Sequence, residues 1–230
     1  MYYYYTYINY FDASRPTVNF SVPTGNFGDI YAGYVAYKMG LPINKLIVAT
    51  NENDILHRFI NTGIYQKESV KKTTSPSMDI QIASNFERLL FDIMSQSNEK
   101  TASAMNLFEE KGKLTVERQD LNVISNIFAS ASTHQEDVNK IISNVHEIHS
   151  YLIDPHTATG INASRKTNDS DRMNFTLSTA HPVKFSETVE MAVEKNLDLL
   201  SNYKDLFSKD EKIHSVQNNT DCLLYTSPSP

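Results

Sequence analysis

The sequence predicts an α/β fold in which a parallel sheet is flanked by helices. Two strand-to-helix units carry this prediction. In the first, an extended run with apolar Val18, Phe20 and Val22 precedes a helical pattern that begins near Asp29. In the second, the apolar run 46–49 precedes a helical pattern over residues 54–60, and a further short strand is expected at 175–177. Strands and helices that alternate at this spacing are typical of βαβ units, because two parallel strands need a long connection between them.

The junction of the first unit, residues 21–29 (SVPTGNFGD), has the composition of a phosphate-binding turn. Gly25 and Gly28 can adopt positive φ and allow a ligand to come close to the backbone. The free N–H groups of the first helical turn and the positive end of the helix dipole favour an anion there, and Thr24 and Asn26 can add side-chain donors. The stretch is neither a Walker A loop nor a G-x-G-x-x-G fingerprint, so an ordinary strand-to-helix turn remains the alternative.

The helices beside the sheet are predicted from local signals. The tyrosine-rich segment 1–11 is interpreted as a buried amphipathic helix whose rings fill the core. Gly40 and Gly63 stop the helices that precede them, and Ser84 or Asn85 caps the next one. The positions expected to face inward on the helices after Asp29 and after Asn85 are Ile30, Tyr34, Val35, Tyr37, Phe86, Leu89, Leu90 and Ile93.

Residues 96–150 are predicted to be a helical segment that packs beside the sheet and carries no chemistry of its own. His146 and His149 could share one helix face, but zinc needs further ligands at suitable spacing and the HExxH motif is absent, so no metal site is predicted. Asp154 and Pro155 then form a good helix start, with the aspartate as N-cap. Because capping alone explains Asp154, it is not counted as a site residue. The apolar residues at helical spacing in the segment are Leu107, Leu114, Leu121, Ile124 and Ile127.

Composition argues against several classes of function. The chain has 230 residues, of which 40% are hydrophobic and 21% charged, as is ordinary for a globular protein. Its net charge of −6 gives a nucleic-acid partner no electrostatic support. No apolar run approaches the ~20 residues of a membrane span, and the first residues lack the basic region of a signal peptide. The expected location is therefore the cytoplasm, with no nucleic-acid and no membrane partner.

The last nine residues are interpreted as foreign to the protein. Residues 222–230, CLLYTSPSP, resemble the translation of a sequencing-library adaptor. We therefore expect an artefact tail at 222–230 and the natural sequence at 1–221. Cys222 is the single cysteine, so an internal disulfide is excluded.

Five stretches, in order and at sensible spacing between about residues 18 and 185, together resemble threonine synthase. They are VPTGNFGDIYAGYVAYKMGLP, KLIVATNENDILHRF, SPSMDIQIASNFERLLFD, YLIDPHTATG and STAHPVKF. Threonine synthases are fold-type-II pyridoxal-phosphate enzymes. The resemblance thus implies a partial sheet of the tryptophan synthase beta-like type, with flanking helices, an inserted helical segment and pyridoxal 5'-phosphate as cofactor. Residues 1–221 are then expected to be the C-terminal part of such a domain, with Met1 at an internal position of a longer sequence.

The resemblance implies two groups of cofactor-binding residues. The hydroxyl of Thr179 is implied to bond the pyridine nitrogen, with Ser178 as the near alternative; without the resemblance, a threonine that merely ends a strand would be favoured. A neutral hydroxyl in that place leaves the pyridine less firmly protonated, which moderates the electron sink. The residues implied to hold the cofactor phosphate are Gly25, Asn26, Phe27, Gly28 and Asp29.

No catalytic residue is assigned in this chain. Lys184 lies near Thr179 in sequence, but the family's Schiff-base lysine belongs to a Phe-Lys-Asp motif far upstream. That motif does not occur in this sequence. The chain alone is therefore expected to be inactive and to bind the cofactor weakly at most.

The resemblance implies the conversion of O-phospho-L-homoserine and water to L-threonine and phosphate in threonine biosynthesis. The partner is this small-molecule substrate; the oligomeric state is left open, and a monomer is compatible with the full-length enzyme. Two alternatives remain. One is a threonine-synthase-like phospholyase or a dehydratase of the same fold, and the other is a non-catalytic remnant that binds a phosphate metabolite.

Overall fold

The structure is a computed structural model, and it describes residues 1–11, 16–167, 171–197, 201–203, 205, 208–213 and 215. The chain divides into two compact units, Met1–Leu197 and Asp198–Pro230. The described part of the second unit contains the short 3-10 helix Ser201–Tyr203. The predicted adaptor tail at 222–230 lies outside the described residues. None of the described helices is both long enough and apolar enough to cross a membrane.

The first unit is built from alternating strands and helices. The strands are β1 (Val18–Pro23), β2 (Ile43–Thr50), β3 (Ile64–Gln66), β4 (Lys113–Thr115), β5 (Phe128–Ser132) and β6 (Asn174–Thr176). The helices are α1 (Tyr2–Tyr10), α2 (Gly28–Lys38), α3 (Ile55–Thr62), α4 (Phe86–Ile93), α5 (Asn98–Lys111), α6 (Arg118–Ile127), α7 (Gln135–His149), α8 (Pro155–Lys166) and α9 (Ser186–Val193). Two 3-10 turns, Pro76–Met78 and Pro182–Phe185, complete the unit.

The main sheet has the strand order β5-β2-β1-β6, and every neighbouring pair is parallel. Alternate residues of β2 face different layers: Leu46 and Val48 lie in the large core, whereas Ile47 and Ala49 pack with Ala163 of α8. Strands covered on both faces tend to be continuous apolar runs, as β2 is over residues 46–49. β1 was predicted from its alternate apolar residues Val18, Phe20 and Val22. β6 begins and ends one residue earlier than predicted. The α/β prediction is confirmed.

The prediction of a purely helical segment at residues 96–150 is wrong in two places. β4 pairs antiparallel with β3, and β5 pairs parallel with β2 at the edge of the main sheet. β5 (FASAS) has one large apolar residue and follows α6 directly, so its sequence continues the helical spacing. Pairing with the buried strand β2 decides its conformation. Of the apolar positions predicted there, Leu114 lies in β4 and Leu107 is exposed.

Helices α1 and α2 bury fewer or different residues than predicted. On α1, Tyr3 and Tyr7 are buried and Tyr4 packs half-buried against the core, but Tyr2, Tyr5 and Tyr10 are exposed. On α2, Val35 and Tyr37 are exposed, contrary to the prediction. Gly33 has no side chain, so the sequence pattern did not predict that it faces inward, yet it lies on the side of α2 that packs against Tyr3 and Leu46. The buried residues of α2 are Ile30, Gly33, Tyr34 and Ala36.

An alanine at Gly33 tests how tightly α2 packs. A Cβ atom there would lie 2.8 Å from both Tyr3 Cζ and Leu46 Cδ2. Helix propensity alone would stabilise Gly33→Ala by about 1 kcal/mol, whereas overpacking costs about 1–3 kcal/mol. We expect a net loss of about 1 kcal/mol in the free energy of urea-induced unfolding. Ala32→Gly, at the exposed neighbouring position, measures propensity alone. A Gly33→Ala protein more stable than the parent would contradict the packing argument.

Candidate functional site

The carboxyl end of β1 turns through residues 24–27 into α2. The backbone N–H of Thr24 donates to the carbonyl of Ala49 at 2.8 Å, which ties the turn to the end of β2. The Thr24 hydroxyl donates to the Val22 carbonyl at 2.6 Å, and the side chain is buried. Its proton is therefore used within the turn, and the prediction of Thr24 as a donor to a ligand is wrong.

The N–H groups at the start of α2 are free. Within the described part of the chain, the backbone N–H groups of residues 25–30 donate to no protein acceptor. The first helical bond runs from the Tyr31 N–H to the Phe27 carbonyl at 3.1 Å. Free donors at a helix start, together with the helix dipole, favour a bound anion.

Phe27 has positive φ in this turn. Gly25 and Gly28, which the sequence suggested for that conformation, do not. Phe27 is the N-cap of α2, with φ 66° and ψ 2°. The left-handed region costs a residue other than glycine about 1–2 kcal/mol. The Phe27 ring is buried, with ring centroids of Phe86 and Phe128 each 5.9 Å away. Burial of this ring offsets the backbone cost and holds the bend.

Gly25 is needed for space. A Cβ atom there would lie 2.4 Å from the carbonyl oxygen of Ser77, in the turn Pro76–Met78. Asn85 fixes the next residue, because its backbone N–H and its Nδ2 both donate to the Asn26 carbonyl at 3.0 Å. Asn85 is the N-cap of α4 as predicted, but its side chain makes no capping bond. It serves the turn instead.

Two hydroxyl groups of α1 stabilise Asp29 in the first turn of α2. Tyr2 and Tyr3 donate to Oδ1 of Asp29 at 2.5 and 3.0 Å. Burial, with the hydrogen bond to Asp29, raises the pKa of Tyr2 to about 12. Burial and the Asp29 charge also raise the pKa of Tyr3. Both phenols thus stay protonated at neutral pH and remain donors.

A buried polar network begins α8. Asp154 is 0% exposed and His156 is 4% exposed. Oδ1 of Asp154 accepts from the His156 backbone N–H at 2.9 Å and lies 2.8 Å from His156 Nδ1. The Thr157 hydroxyl donates to Oδ2. Asp154 caps the helix as predicted, but it also holds two side chains.

These hydrogen bonds lower the pKa of Asp154. Burial by itself would raise this pKa, but the bonds from the His156 side chain, the Thr157 hydroxyl and the His156 backbone lower it more. The folded state therefore takes up the proton less readily than the unfolded state. The stabilisation is complete above the unfolded pKa of 3.8 and is lost as the pH falls through the lower folded pKa.

Asp154→Asn tests this linkage. At about pH 6 we expect the free energy of unfolding to fall by about 1–3 kcal/mol, because a buried hydrogen-bond network loses its charged acceptor. The difference from the parent should shrink as the pH falls from about 5 to about 2.5. Urea unfolding at several pH values measures this difference, with Asp137→Asn, at a half-exposed position in the first turn of α7, as control. A stability difference between variant and parent that stays constant over this pH range would contradict the lowered pKa of Asp154.

A cavity of about 290 Å³ lies beside the carboxyl ends of β1 and β6. Of the predicted site residues, Gly25, Asn26, Asp29 and Thr179 line it. This edge is where α/β sheets bind ligands. The structure thus brings together residues from the two predicted groups, which are far apart in sequence.

Other predicted residues lie outside the cavity lining. Phe27 and Gly28 do not line it, since the Phe27 ring is in the core. Ser178, the alternative to Thr179, does not line it either; its hydroxyl lies 3.4 Å from the Thr157 hydroxyl. Lys184 lies in the 3-10 turn before α9 and is also outside the lining.

Sequence reasoning missed several residues of the cavity wall. Neither Ser77 nor His156 was predicted as a site residue. Their stretches belong to the five motifs, which was the available signal, but no local pattern shows that a turn and a distant helix start meet. The missed residues are Pro23, Ser77, Met78, His156 and Ala180.

The fold and the cavity define a class: an α/β protein with a ligand-sized cavity at the carboxyl edge of its parallel sheet. The sequence profile described as "Threonine synthase, C-terminal" matches residues 157–223. The threonine synthase of Pseudomonas aeruginosa is 45% identical over 208 residues, covering 90% of this chain and 44% of that protein. The threonine synthase of Saccharomyces cerevisiae is 41% identical over 228 residues, covering 90% and 43%.

Solved structures agree with these relatives. The structure of PLP-bound threonine synthase from Brucella melitensis has a TM-score of 0.86 and 39% identity, covering 96% of this chain and 48% of that one. Yeast threonine synthase has a TM-score of 0.80 and 37% identity, covering 89% and 44%. The chain belongs to the threonine synthase family, which confirms the resemblance carried by the five motifs. It spans about half the length of the curated relatives it matches.

Proposed function

We propose that this chain forms part of a pyridoxal-phosphate-dependent threonine synthase, which converts O-phospho-L-homoserine and water to L-threonine and phosphate in threonine biosynthesis. One observation carries the proposal. In a chain 45% identical to a threonine synthase, the free N–H groups of residues 25–30 lie beside a cavity that Thr179 also lines. The Brucella melitensis relative is PLP-bound.

We propose that the phosphate group of the cofactor binds at the start of α2. The free backbone N–H groups there suit a phosphate, since they combine with the positive end of the helix dipole. Gly25 contributes a backbone with no side chain, and Phe27 contributes its backbone only, because its ring is in the core. Gly25, Asn26, Phe27, Gly28 and Asp29 together remain the proposed phosphate-binding residues.

We propose that the hydroxyl of Thr179 forms a hydrogen bond with the pyridine nitrogen of the cofactor. Thr179 is exposed to the cavity that it lines, whereas Ser178 is not part of the lining. When bound, pyridoxal phosphate supplies an electron sink for the carbanions that form on the substrate. The chain's own contribution is to hold and orient the ligand. The proton transfers need a lysine that no Phe-Lys-Asp motif of this sequence provides.

A joined protein tests the activity. The part of the Pseudomonas aeruginosa threonine synthase that precedes the matched residues is fused to this chain, so that a Phe-Lys-Asp motif is restored. We expect this protein to release phosphate and threonine in equal amounts from O-phosphohomoserine. The 230-residue chain alone should release neither. The joined protein with alanine in place of the motif's lysine is the control.

The products separate the alternatives. Formation of 2-oxobutyrate in place of threonine would favour a phospholyase or a dehydratase. A folded joined protein that binds a phosphate metabolite without turnover would favour a non-catalytic remnant. Threonine formation by the 230-residue chain alone would contradict the view that its catalytic lysine lies elsewhere.

Thr179→Val in the joined protein tests the second binding group. Valine keeps the shape and removes the hydroxyl, so one hydrogen bond to the cofactor is lost. We expect the affinity for pyridoxal phosphate, measured by its absorbance on titration, to fall about tenfold. Ser178→Ala is the comparison, and its effect should be smaller. A larger loss of affinity in Ser178→Ala than in Thr179→Val would mean that Ser178 makes this hydrogen bond.

The proposal also covers the domain boundaries in the sequence and the cellular location of the enzyme. We propose that residues 1–221 are the C-terminal part of the enzyme domain, that 222–230 derive from an adaptor, and that the enzyme acts in the cytoplasm on a small molecule, without a nucleic-acid partner. Sequencing the source DNA through both ends of the reading frame tests the boundaries. A frame that continues through 222–230 into further coding sequence of the family would contradict the artefact assignment.

A further inference from the structure

The start of α8 contains a buried imidazole that the proposed roles leave unused. His156 lines the cavity together with Gly25 and Thr179. Its Nδ1 is engaged by Asp154 at 2.8 Å. Its Nε2 is buried and has no hydrogen-bond partner among the described residues. A buried polar atom left without a partner costs about 1–3 kcal/mol. The bare protein therefore carries this cost in a residue of the cavity wall, and a ligand that reaches Nε2 removes it.

We propose that His156 is a further ligand-contacting residue of this cavity, and that Asp154 is the positioning residue that orients its imidazole. The ligand class is a phosphate-bearing pyridine compound, and in this respect the inference rests on the proposed function. With the ring proton on Nδ1, Nε2 accepts a hydrogen bond from an O–H or N–H group of the bound ligand.

The network around Asp154 supports its positioning role. A carboxylate can only accept hydrogen bonds, so the proton of the imidazole sits on Nδ1, toward Oδ1 of Asp154. This leaves Nε2 as the atom that is free to meet a ligand. The Thr157 hydroxyl and the His156 backbone N–H hold the carboxylate from two further directions. The imidazole plane is also restrained by the Phe185 ring, whose centroid is 4.8 Å away. The side chain is thus preorganised before any ligand arrives.

A purely structural role for His156 makes different predictions. If the imidazole only filled space against Phe185, its nitrogen environment would not respond to a ligand. If Asp154 were only an N-cap, asparagine would replace it well, because asparagine is an equally good cap. Asp154→Asn keeps the acceptor for the His156 backbone N–H but weakens the bond that selects the Nδ1–H form. The two roles are therefore separable by spectroscopy.

The experiment uses the complete 230-residue chain labelled with ¹⁵N, and reads the backbone amides and histidine ring nitrogens by NMR. The probe is 4'-deoxypyridoxine 5'-phosphate, which lacks an aldehyde and so does not react with surface lysines. Inorganic phosphate is the second arm. NMR titration detects weak binding, and the amides of residues 25–28 report independently that the phosphate site is filled.

We expect the His156 Nε2 resonance and the amides of residues 25–28 to shift with one dissociation constant. His156→Gln should weaken binding about tenfold. His149→Gln, at the exposed end of α7, is the matched control and should bind as the parent does. Asp154→Asn should change the ratio of the two imidazole tautomers before any ligand is added. If inorganic phosphate alone shifts Nε2, the donor is a protonated oxygen of the phosphate group. If only the pyridine compound does, the donor is on the ring or its hydroxyl group.

Two results would overturn the inference, and they are distinguishable. Shifts of the amides of residues 25–28 without any response of His156 would show that the phosphate site exists and that His156 is structural. No shift of those amides at the highest probe concentration, in the 230-residue chain and in the joined protein alike, would remove the phosphate site of the proposed function, and this inference with it. An unchanged tautomer ratio in Asp154→Asn would remove the positioning role of Asp154.

Discussion

Gly25→Ala is expected to remove cofactor binding while the rest of the fold persists. The new Cβ atom would lie 2.4 Å from the Ser77 carbonyl oxygen, a distance that two unbonded heavy atoms do not maintain. Either the turn at 24–27 or the turn around Ser77 has to move. The obstacle is backbone, so no rotation of a side chain can relieve it.

The turn around Ser77 is the more firmly held of the two. Asn51 Nδ2 donates to the Ser75 hydroxyl at 3.0 Å and to Asp79 Oδ1 at 2.8 Å. The Thr73 backbone N–H donates to Asp79 Oδ2 at 2.8 Å. Asn51 is itself buried just after β2. We therefore expect the 24–27 turn to yield, which displaces the free N–H groups at the start of α2.

The measurement is cofactor affinity in the joined protein, with a thermal melt to check the fold. Loss of several hydrogen bonds to a charged phosphate should weaken binding at least about 100-fold. Gly28→Ala is the comparison within the same turn. Its Cβ would lie 3.2 Å from Asn85 Nδ2, the end of a side chain that can move, so its effect should be clearly smaller. A Gly25→Ala protein that binds like the parent would show that the contact with Ser77 is not tight.

Phe86→Ala is expected to produce the largest loss of stability. The Phe86 ring is 1% exposed and packs against three other rings. Its centroid lies 4.3 Å from Tyr65, 4.6 Å from Phe59 and 5.9 Å from Phe27. Removing a buried phenyl ring costs about 3–5 kcal/mol, which is a large part of the stability of a typical domain. Because Phe27 loses a neighbour, the left-handed bend that begins α2 should also loosen.

Phe91→Ala is the matched control for this prediction. Phe91 lies one and a half turns further along the same helix, where it is only half-buried. Urea unfolding should give a much smaller loss for Phe91→Ala than for Phe86→Ala. Exchange of the Tyr31 amide, which donates to the Phe27 carbonyl, should accelerate in Phe86→Ala only. Equal losses for the two variants would mean that the aromatic cluster does not set the stability of this unit.

Much of the fold could be predicted because burial on both faces of a parallel sheet leaves a continuous apolar run. β2 contains such a run over residues 46–49, and the helix after it begins at the polar Asp54 and ends at Gly63. β1 instead alternates Val18, Phe20 and Val22 with polar residues that are also buried. β5 could not be predicted, since its small residues carry no strand signal and only its pairing with β2 makes it a strand. The same limit applies to Gly33, whose inward position is defined by its neighbours on α1 and β2.

For the site, the sequence by itself determined the α/β class, the family and the two stretches, 21–29 and 178–182, that carry the proposed binding residues. Each of them can be read from short stretches of sequence and from the order of those stretches along the chain. Only the tertiary structure decided that Phe27 rather than a glycine takes the left-handed bend, that Gly25 meets Ser77, and that a histidine beside Asp154 reaches the same cavity. Those features depend on contacts between residues far apart in the chain, and the physical reason is that close packing and buried polar pairing are settled only when such segments meet.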